Sequence, residues 1–443
     1  MITYKSFITE QHYVLLEDTH MKTHLSHLED LAIEQGKAGF DSFLKHTEEM
    51  TKKLQGFETE QQINAKIDGS PMILFGIDPR PEFAGQFFIS TKSGLSPSNP
   101  KIAHNSVEIQ QQYGVVPELA NRLKQLHLAL KEAYDNSGKI YQGDVLYASA
   151  QDKKIVKIEN ENFIVFKPNV IVYAVPVDPV SDISHRVQNT SVGIIVHEAF
   201  KGVPINDNKA IKLISAGRNV QSIIDSSRNS DAFIQSSNYG TITIDVPDRY
   251  FADIKTYTEA AKTYINNVSD DFDSAYVNSN IMQLLKIFLN KQVDAGSSGF
   301  FGATSSDADS MLEDFIAQFK DFLNARFAIE VKKKKTAKGK AATTEKLNKM
   351  LDFLQYNHES LKNLLSTTLY MLKVKNILLT IFSNLEPKLG RTFTQQPDGT
   401  FVKTKDEGYV LFVGTNHVKI VDRLDFTKTN RQFGGKKRSA ITA

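Results

Sequence analysis

The sequence predicts an α+β fold in which two β-rich regions enclose a long helical region. Between residues 64 and 200, apolar runs rich in Ile, Val, Phe and Tyr are separated by turn residues, which is typical of strands. From Arg249 to Leu385, leucine, isoleucine and phenylalanine recur at helical spacing and strand signals are few. Strand-like runs resume after Pro387. The C-terminal strands therefore either form a small sheet of their own or return to complete the first sheet.

Length and composition favour a globular protein of two or three domains. The chain has 443 residues, of which 41% are hydrophobic and 23% charged. With 53 basic and 51 acidic residues the net charge is only +2, so any nucleic-acid-binding patch must be local. The absence of cysteine excludes disulfides, thiol catalysis and cysteine-ligated metal sites. No apolar run approaches the roughly 20 residues of a membrane helix, so no membrane partner is predicted.

Five segments follow from the change of pattern along the chain. They are an N-terminal helical segment (1–55), a first core region (56–245), a helical insertion (246–386), a last core region (387–430) and a basic tail (431–443). Within the first core region, residues 64–77 and 86–90 read as a long hairpin because the proline-containing connection between them cannot continue a strand. A helix is predicted over 116–134, and β-rich segments over 140–147, 163–177 and 191–200. The lysine-rich stretch 332–340 is interpreted as a solvated loop between helices, with contact to a phosphate backbone as the alternative.

One lysine stands out at the start of the hairpin. Residues 64–76 read NAKIDGSPMILFG, which places Lys66 two residues before Asp68-Gly69 at the head of an apolar run. A lysine can attack the α-phosphate of a nucleotide if it is deprotonated. Such a site also needs further cations for the phosphates, carboxylates for a metal and an aromatic surface for the base. A strand-turn lysine without function is the alternative.

The chain contains each of these companions in order. Lys92 and a glycine end a strand in the stretch STKSG (90–94), and Asp144 follows a glycine in the strand YQGDVLY. Tyr173 is the aromatic residue of the strand VIVYAV, with Phe163 and Phe166 as rivals if the register differs. Glu407 precedes Gly408 at a strand start, and Lys419 lies on the next strand. His197-Glu198, at the end of another strand, lacks a second histidine at ligand spacing and is not assigned to a metal.

Set out in this order, the segments resemble the motifs of the covalent nucleotidyltransferase superfamily, which contains ATP-dependent DNA ligases, RNA ligases and mRNA capping enzymes. The resemblance implies a ligase-like core of antiparallel sheets, interrupted here by the helical insertion. It implies that Lys66 becomes nucleotidylated by ATP with Mg²⁺ or Mn²⁺. Residues implied to bind the cofactor are Asp68, Gly69, Lys92, Asp144, Tyr173, Glu407 and Lys419, with Glu407 and Asp144 holding the metal.

The small Ser70 looks closest to the RNA ligase branch, and the whole motif set resembles uncharacterised tailed-phage proteins. Three positions depart from the superfamily pattern. Pro71 stands where an arginine is frequent, Asp144 where glutamate is usual, and Val421 where a second lysine is usual, leaving Arg423 as the nearby cation. The loss of phosphate contacts bears on whether the nucleotide can be passed on.

Residues 1–10 resemble the capsid-targeting peptides of phage internal proteins. Ile8-Thr9-Glu10 matches the triplet after which a prohead protease cuts, and Leu15-Leu16-Glu17 offers a second site. An amphipathic first helix is the alternative. The peptide implies partners in the phage capsid or its protease, and a location in the host cytoplasm or a virion.

The predicted function is therefore ATP-dependent nucleotidyl transfer through a lysyl-AMP intermediate, with RNA or DNA ends as the acceptor that the resemblance implies. Transfer of the nucleotide to a protein or a small molecule is an alternative acceptor for the same chemistry. A non-catalytic virion protein that retains the ligase-like fold is an alternative of a different class.

Overall fold

A computed structural model describes residues 25–207, 209–242, 244–296, 300, 308–414 and 416–425. The proposed capsid-targeting peptide and the basic tail lie outside these residues. The described part is a mixed α+β structure whose sheets are largely antiparallel, as predicted. It divides into two compact units. We call residues 63–240 and 386–409 the sheet unit. Residues 25–62, 241–385 and 410–425 form the helical unit.

The strands are β1 (Gln62–Ala65), β2 (Met72–Ile77), β3 (Phe87–Thr91), β4 (Ile140–Tyr147), β5 (Lys153–Ile158), β6 (Glu161–Phe166), β7 (Val172–Pro176), β8 (Val192–Ile205), β9 (Ala210–Gly217), β10 (Ala232–Ser236), β11 (Arg391–Gln395), β12 (Phe401–Lys403), β13 (Tyr409–Val413) and β14 (Asn416–Ile420). The helices are α1 (Leu31–Leu54), α2 (Ser106–Tyr113), α3 (Pro117–Ala133), α4 (Asp182–Asn189), α5 (Gln221–Ser226), α6 (Asp248–Asn266), α7 (Asp270–Val277), α8 (Asn280–Asp294), α9 (Ala308–Lys333), α10 (Ala337–Tyr356) and α11 (His358–Phe382).

The sheet unit contains two sheets. A six-stranded sheet has the order β10-β8-β4-β2-β3, with β9 also paired to β8, and a five-stranded sheet has the order β12-β11-β7-β6-β5. Within these two sheets all pairs are antiparallel except β8 with β10. One face of the larger sheet packs on α2 and α3 through an apolar cluster that includes Phe75, Ile109 and Leu126. A second cluster, including Tyr147, Phe166 and Ile195, joins residues of both sheets and forms the core between them.

The C-terminal strands β11 and β12 return to the sheet unit. Arg391, Thr392 and Phe393 pair with Ala174, Tyr173 and Val172 of β7, so these strands complete a sheet whose other members lie more than 200 residues earlier. Of the two arrangements that the sequence leaves open, β11 and β12 follow the second. The last strands differ, because β13 is hydrogen-bonded to β14 in a separate sheet.

Two predicted strands are each divided in the structure. Residues 64–77 form β1 and β2 with the segment 66–71 between them, and residues 163–177 form β6 and β7 with a loop at 167–171. An uninterrupted apolar run cannot reveal such a break, because the break depends on partners distant in sequence. The hairpin of β2 and β3 is confirmed, with Ile73 opposite Thr91.

The helical unit contains α1, α6–α11, β14 and most of β13. The prediction of a mainly helical region from 249 to 385 is confirmed. Within this region, α11 packs along α6. The prediction of a loop over 332–340 is mostly wrong, because α9 extends to Lys333 and α10 begins at Ala337. Thr336 caps α10 by accepting a hydrogen bond from the Gly339 N–H at 3.1 Å, which explains the early start of that helix.

Candidate functional site

Lys66 directly follows β1 and is fixed through its backbone. Its N–H donates to the Gly408 carbonyl at 2.8 Å, and the N–H of Ala65 donates to the Ser237 carbonyl at 2.8 Å. The Lys66 ammonium forms an ion pair with Oε1 of Glu407. The Lys66 side chain is 29% exposed, whereas that of Glu407 is 3% exposed. Two residues that the sequence separates by 341 positions therefore share one site within the sheet unit.

Glu407 has a second carboxylate oxygen with a different environment. Oε2 is buried and has no hydrogen-bond partner among the described residues. A buried, unsatisfied acceptor is costly, and more so when it carries charge. This oxygen is therefore available to a donor or a cation from outside the chain.

The Lys66–Glu407 pair lies in the wall of a small cleft whose enclosed space of about 10 Å³ admits about one water. Tyr173, Asp406 and Lys388 also line it, together with Ala65, Ile67, Pro387, Leu389, Gly390 and Thr392. This is far below the roughly 300–1,000 Å³ of small-molecule sites, so binding of a nucleotide would require the cleft to widen.

Asp68 holds the loop between β6 and β7. Its carboxylate accepts hydrogen bonds from Asn169 Nδ2 at 2.7 Å and from the N–H groups of Val170 and Ile171 at 2.8 and 3.1 Å. The Asp68 N–H donates to the Tyr173 hydroxyl at 2.7 Å. All the bonds recorded for this side chain serve the chain itself, so the structure gives Asp68 an anchoring role next to the predicted nucleophile.

Removing this carboxylate should destabilise the sheet unit. We expect Asp68→Ala to lower the free energy of unfolding by about 1.5–3 kcal/mol, since charged hydrogen bonds contribute on that scale and three donors lose their acceptor. Urea denaturation measures the change. Asp225→Ala is the control, because Asp225 is 57% exposed and its side chain makes surface contacts, an ion pair with Arg228 and a hydrogen bond from Gln221. Equal stability of the two variants would contradict the anchoring role.

The Asp144 carboxylate contacts a histidine side chain and is not part of the cleft wall. His197 Nε2 lies 3.0 Å from Asp144 Oδ2, and His197 Nδ1 lies 3.2 Å from the hydroxyl of the buried Ser237, which also accepts from Asn64 Nδ2 at 2.9 Å. Asp144 does not line the cleft. The structure thus places the predicted metal ligand beside the site, in a polar network that sequence reasoning missed because β4 and β8 are paired at long range.

Gly69 is required by a close approach to β4. A Cβ atom at this position would lie 2.5 Å from the Asp144 Cβ, closer than real contacts allow. The next residue, Ser70, donates its N–H to the Val145 carbonyl at 2.9 Å. The glycine after Asp68 therefore lets the segment that follows Lys66 lie directly on the larger sheet.

Tyr173 contributes to the cleft wall but is 3% exposed. Its ring stacks on Phe166 at a centroid distance of 5.8 Å, and burial raises the pKa of its hydroxyl well above the usual value. Little ring surface is left for a nucleobase in this conformation. The rivals Phe163 and Phe166 are fully buried in the sheet-unit cores.

The two remaining predicted lysines are not among the residues that line the cleft. Lys92 is exposed and directly follows β3 at Thr91, which is opposite Ile73 of β2. Lys419 belongs to the helical unit, where its N–H donates to the Ser26 carbonyl at 2.9 Å. Burial, aided by the positive Arg423, lowers the Lys419 pKa.

Arg423, the cation close to Val421 in the sequence, forms hydrogen bonds with other side chains of the helical unit. Its Nη1 contacts both oxygens of the buried Asp30 at 2.9 and 3.0 Å, and its Nη2 donates to Asn290 Oδ1 at 2.6 Å. These contacts give Arg423 a structural role, so it is not a ready substitute for the lysine that Val421 replaces.

Two charged residues of the cleft wall were not predicted, Lys388 and Asp406. Burial raises the Asp406 pKa, although a hydrogen bond from Thr392 Oγ1 to its Oδ1 at 3.1 Å opposes that shift. The adjacency of Asp406 to Glu407 was a signal for Asp406. Lys388 carried no motif, and only the return of β11 brings it to the cleft.

The donor set fits a cation that arrives with its own ligands. Within the described ranges, no group of three or more His, Asp or Glu residues is arranged to hold a metal ion. Mg²⁺ bound with a nucleotide commonly uses only one or two protein carboxylates, with phosphates and waters completing its shell. The free buried oxygen of Glu407 meets that requirement.

Among the described helices, α11 is long and apolar enough to cross a membrane by length and composition. However, 67% of the relevant window is buried inside the protein. Core helices pass the same test.

A model of one protein family matches residues 22–434, which is most of the chain; it is described as a family of unknown function, DUF6267. The chain belongs to this family. Comparison with curated proteins and with solved structures gave no match. The family description assigns no activity.

Proposed function

We propose that this protein is a nucleotidyltransferase that forms a lysyl-AMP intermediate at Lys66 and passes the nucleotide to a nucleic acid end. The observation that carries the proposal is the ion pair between Lys66 and the buried Glu407 in the wall of a cleft. In the sequence motifs, Lys66 corresponds to the nucleophile and Glu407 to a metal ligand. Tyr173, named for the base, lines the same cleft.

The proposed step joins Lys66 Nζ to the α-phosphorus of ATP and breaks the bond to the bridging oxygen of the β-phosphate, so that pyrophosphate leaves. Nζ must lose one proton before attack, because only the neutral amine has a lone pair, and a second as the N–P bond forms. Glu407 Oε1 is placed to accept the first, and solvent takes the second. Mg²⁺ or Mn²⁺ at Glu407 would neutralise charge on the phosphates.

The ion pair itself opposes attack, because a carboxylate beside an ammonium favours the charged lysine. A divalent cation at Oε2 of Glu407 would cancel that negative charge and weaken the preference. Glu407 would hold the cation, whose charge would make the Lys66 ammonium easier to deprotonate, so that attack by Lys66 would be limited to the loaded site.

The acceptor is assigned by the resemblance to RNA and DNA ligases. A nucleic acid 5′-phosphate would attack the lysyl-AMP phosphorus and release Lys66, and a 3′-hydroxyl would then displace AMP. The exposed Lys92 and the lysine-rich end of α9 are cations on the described surface, but neither has a geometry that selects an acceptor.

The test is incubation with α-labelled ATP and Mg²⁺ or Mn²⁺. We expect an acid-labile label on the wild-type protein, as for a phosphoamide, and none on Lys66→Ala or Lys66→Arg. Lys52→Ala is the control, because Lys52 is an exposed lysine with a surface partner, Glu49, at 2.8 Å, and should label normally. Absence of label with all four nucleotides would refute the proposal.

Once label is obtained, the acceptor can be tested separately. Nicked duplex and 5′-phosphorylated single-stranded RNA should discharge the label and be sealed if the acceptor is a nucleic acid end. Retention of the label with both would refute that acceptor while leaving the first step in place.

A further inference from the structure

Lysines are concentrated where two helices of the helical unit meet. The helices α9 and α10 contact each other and are joined by residues 334–336 alone, so they form a helical hairpin. Its tip carries six exposed lysines, Lys332, Lys333, Lys334, Lys335, Lys338 and Lys340. At a rise of about 1.5 Å per residue, each helical member lies within about 6 Å of the connection along its helix axis. We call these six residues the lysine tip.

The charge of the lysine tip is not balanced by nearby acidic residues. No Asp or Glu occurs from 331 to 344. The flanking acids already have other partners, because Glu330 pairs with Arg326 at 3.6 Å and Glu345 pairs with Lys349 at 2.9 Å. A single unpaired surface lysine is ordinary, but six within nine residues repel one another.

Helix electrostatics accounts for only part of this arrangement. Lys332 and Lys333 lie in the last turn of α9, where the helix dipole favours a cation. Lys338 and Lys340 lie at the N-terminal end of α10, where the dipole disfavours one, and the first turn of α10 contains no acidic residue. The lysine tip therefore opposes the stability of the hairpin, and an external anion would relieve the repulsion.

The composition of the tip indicates the kind of anion. From 332 to 346 no apolar side chain larger than alanine occurs. Interfacial membrane segments combine basic residues with Trp, Phe or Leu, and surfaces that bind single strands use aromatic residues to stack on bases. The tip offers charge alone. Without its six lysines the chain would have 47 basic and 51 acidic residues, so the tip is a local positive surface.

We propose that the lysine tip binds the phosphate backbone of double-stranded nucleic acid without reading its base sequence. A duplex carries one charge per about 1.7 Å of its axis, denser than a single strand, and phosphate contacts carry no sequence information. The hydrogen bond from the Gly339 N–H to Thr336 Oγ1 caps α10 directly after the connection, so helices rather than a loop present the ammonium groups. The inference goes beyond the proposed function, because this binding requires no nucleotide transfer.

The experiment measures the affinity of the full-length protein for fluorescein-labelled duplex DNA of about 25 base pairs, by fluorescence anisotropy at about 50 to 200 mM salt. The tip variant combines Lys332→Gln, Lys333→Gln, Lys338→Gln and Lys340→Gln. We expect it to bind at least about tenfold more weakly at the lowest salt. The slope of log K against log salt concentration should fall by about 3, since each phosphate contact contributes about 0.9.

The matched control replaces four exposed lysines elsewhere in the helical unit, Lys45, Lys52, Lys255 and Lys262, by glutamine. Its net charge changes by the same amount, so its affinity should stay close to that of the wild type if position matters. Glutamine has nearly the helix propensity of lysine, and circular dichroism shows whether each variant is folded.

Four outcomes would overturn the proposal. They are an equal loss of affinity in both variants, unchanged affinity in a folded tip variant, no duplex binding by the wild type, and tighter binding to a single strand of the same length. Tip-dependent binding to phosphatidylserine vesicles without duplex binding would assign the tip to a membrane instead. A second duplex of unrelated sequence should bind equally well, and a strong preference between the two would contradict backbone recognition.

The binding and labelling results can fail separately. If Lys66 is labelled but duplex affinity is independent of the lysine tip, only the assignment of the tip falls. If duplex binding depends on the tip but no nucleotide labels Lys66, the tip assignment stands and the proposed transfer reaction falls.

Discussion

Replacing Glu407 by glutamine should slow the labelling of Lys66 by ATP by about a hundredfold or more, the scale on which a single preorganised electrostatic group contributes to catalysis. Glutamine keeps the size of the side chain but removes its charge, its capacity to take the first proton and the anionic oxygen available to a cation. The measurement is the single-turnover rate of label incorporation at saturating ATP and metal.

Asp144→Asn is the informative comparison. Because Asp144 accepts from His197 and lies outside the cleft wall, we expect its replacement to slow labelling by less than about tenfold. The superfamily pattern implies a metal-binding role for this residue instead. A loss in Asp144→Asn as large as in Glu407→Gln would restore that role and contradict the placement described here.

Replacing Lys375 by methionine should lower the free energy of unfolding by about 3–5 kcal/mol, because it leaves a buried carboxylate without its main counter-charge. Lys375 is 2% exposed and donates to Glu29 Oε1 at 2.9 Å and to the Val421 carbonyl at 3.2 Å. Glu29 is fully buried. Arg423 Nη1, 3.8 Å from the same oxygen, offers partial compensation, which favours the lower end of the range.

Urea denaturation measures this loss, with Lys349→Ala as control. Lys349 forms an exposed ion pair with Glu345 at 2.9 Å, and its replacement should cost less than about 1 kcal/mol. Adding Glu29→Gln to Lys375→Met should recover part of the stability, because the unpaired charge is then gone. A Lys375→Met protein as stable as the wild type would show that the pair does not stabilise the helical unit.

Local pattern was sufficient for much of the secondary structure. Periodicity and the positions of prolines were enough to predict three features: the hairpin of β2 and β3, the helix α3 and the helical region after residue 249. The break at 66–71 did not, because the segment is held by partners far away, among them the Val145 carbonyl that accepts from Ser70. The sheet that β7 and β11 share likewise depends on pairing across more than 200 residues.

The candidate site was predictable where residue type alone signals chemistry. Lys66 and Glu407 carry motifs, and the structure brings them together. Lys388 carries none, since a lysine after a proline is unremarkable until the return of β11 brings it to the cleft. Asp144 and Arg423 fit the sequence pattern, but the structure gives each a partner within the chain. Asp144 contacts His197, and Arg423 contacts Asp30. Sequence spacing could not reveal these contacts, because the partners are distant along the chain.

The most direct test of the proposed chemistry is to locate the nucleotide on the chain. After incubation with ATP and Mg²⁺ or Mn²⁺, the protein would be digested at neutral pH, which preserves a phosphoamide, and its peptides analysed by mass spectrometry. We predict AMP on the side chain of Lys66 and on no other lysine. AMP on another residue, or only unmodified Lys66 peptide after complete digestion, would contradict the assignment of Lys66 as the nucleophile.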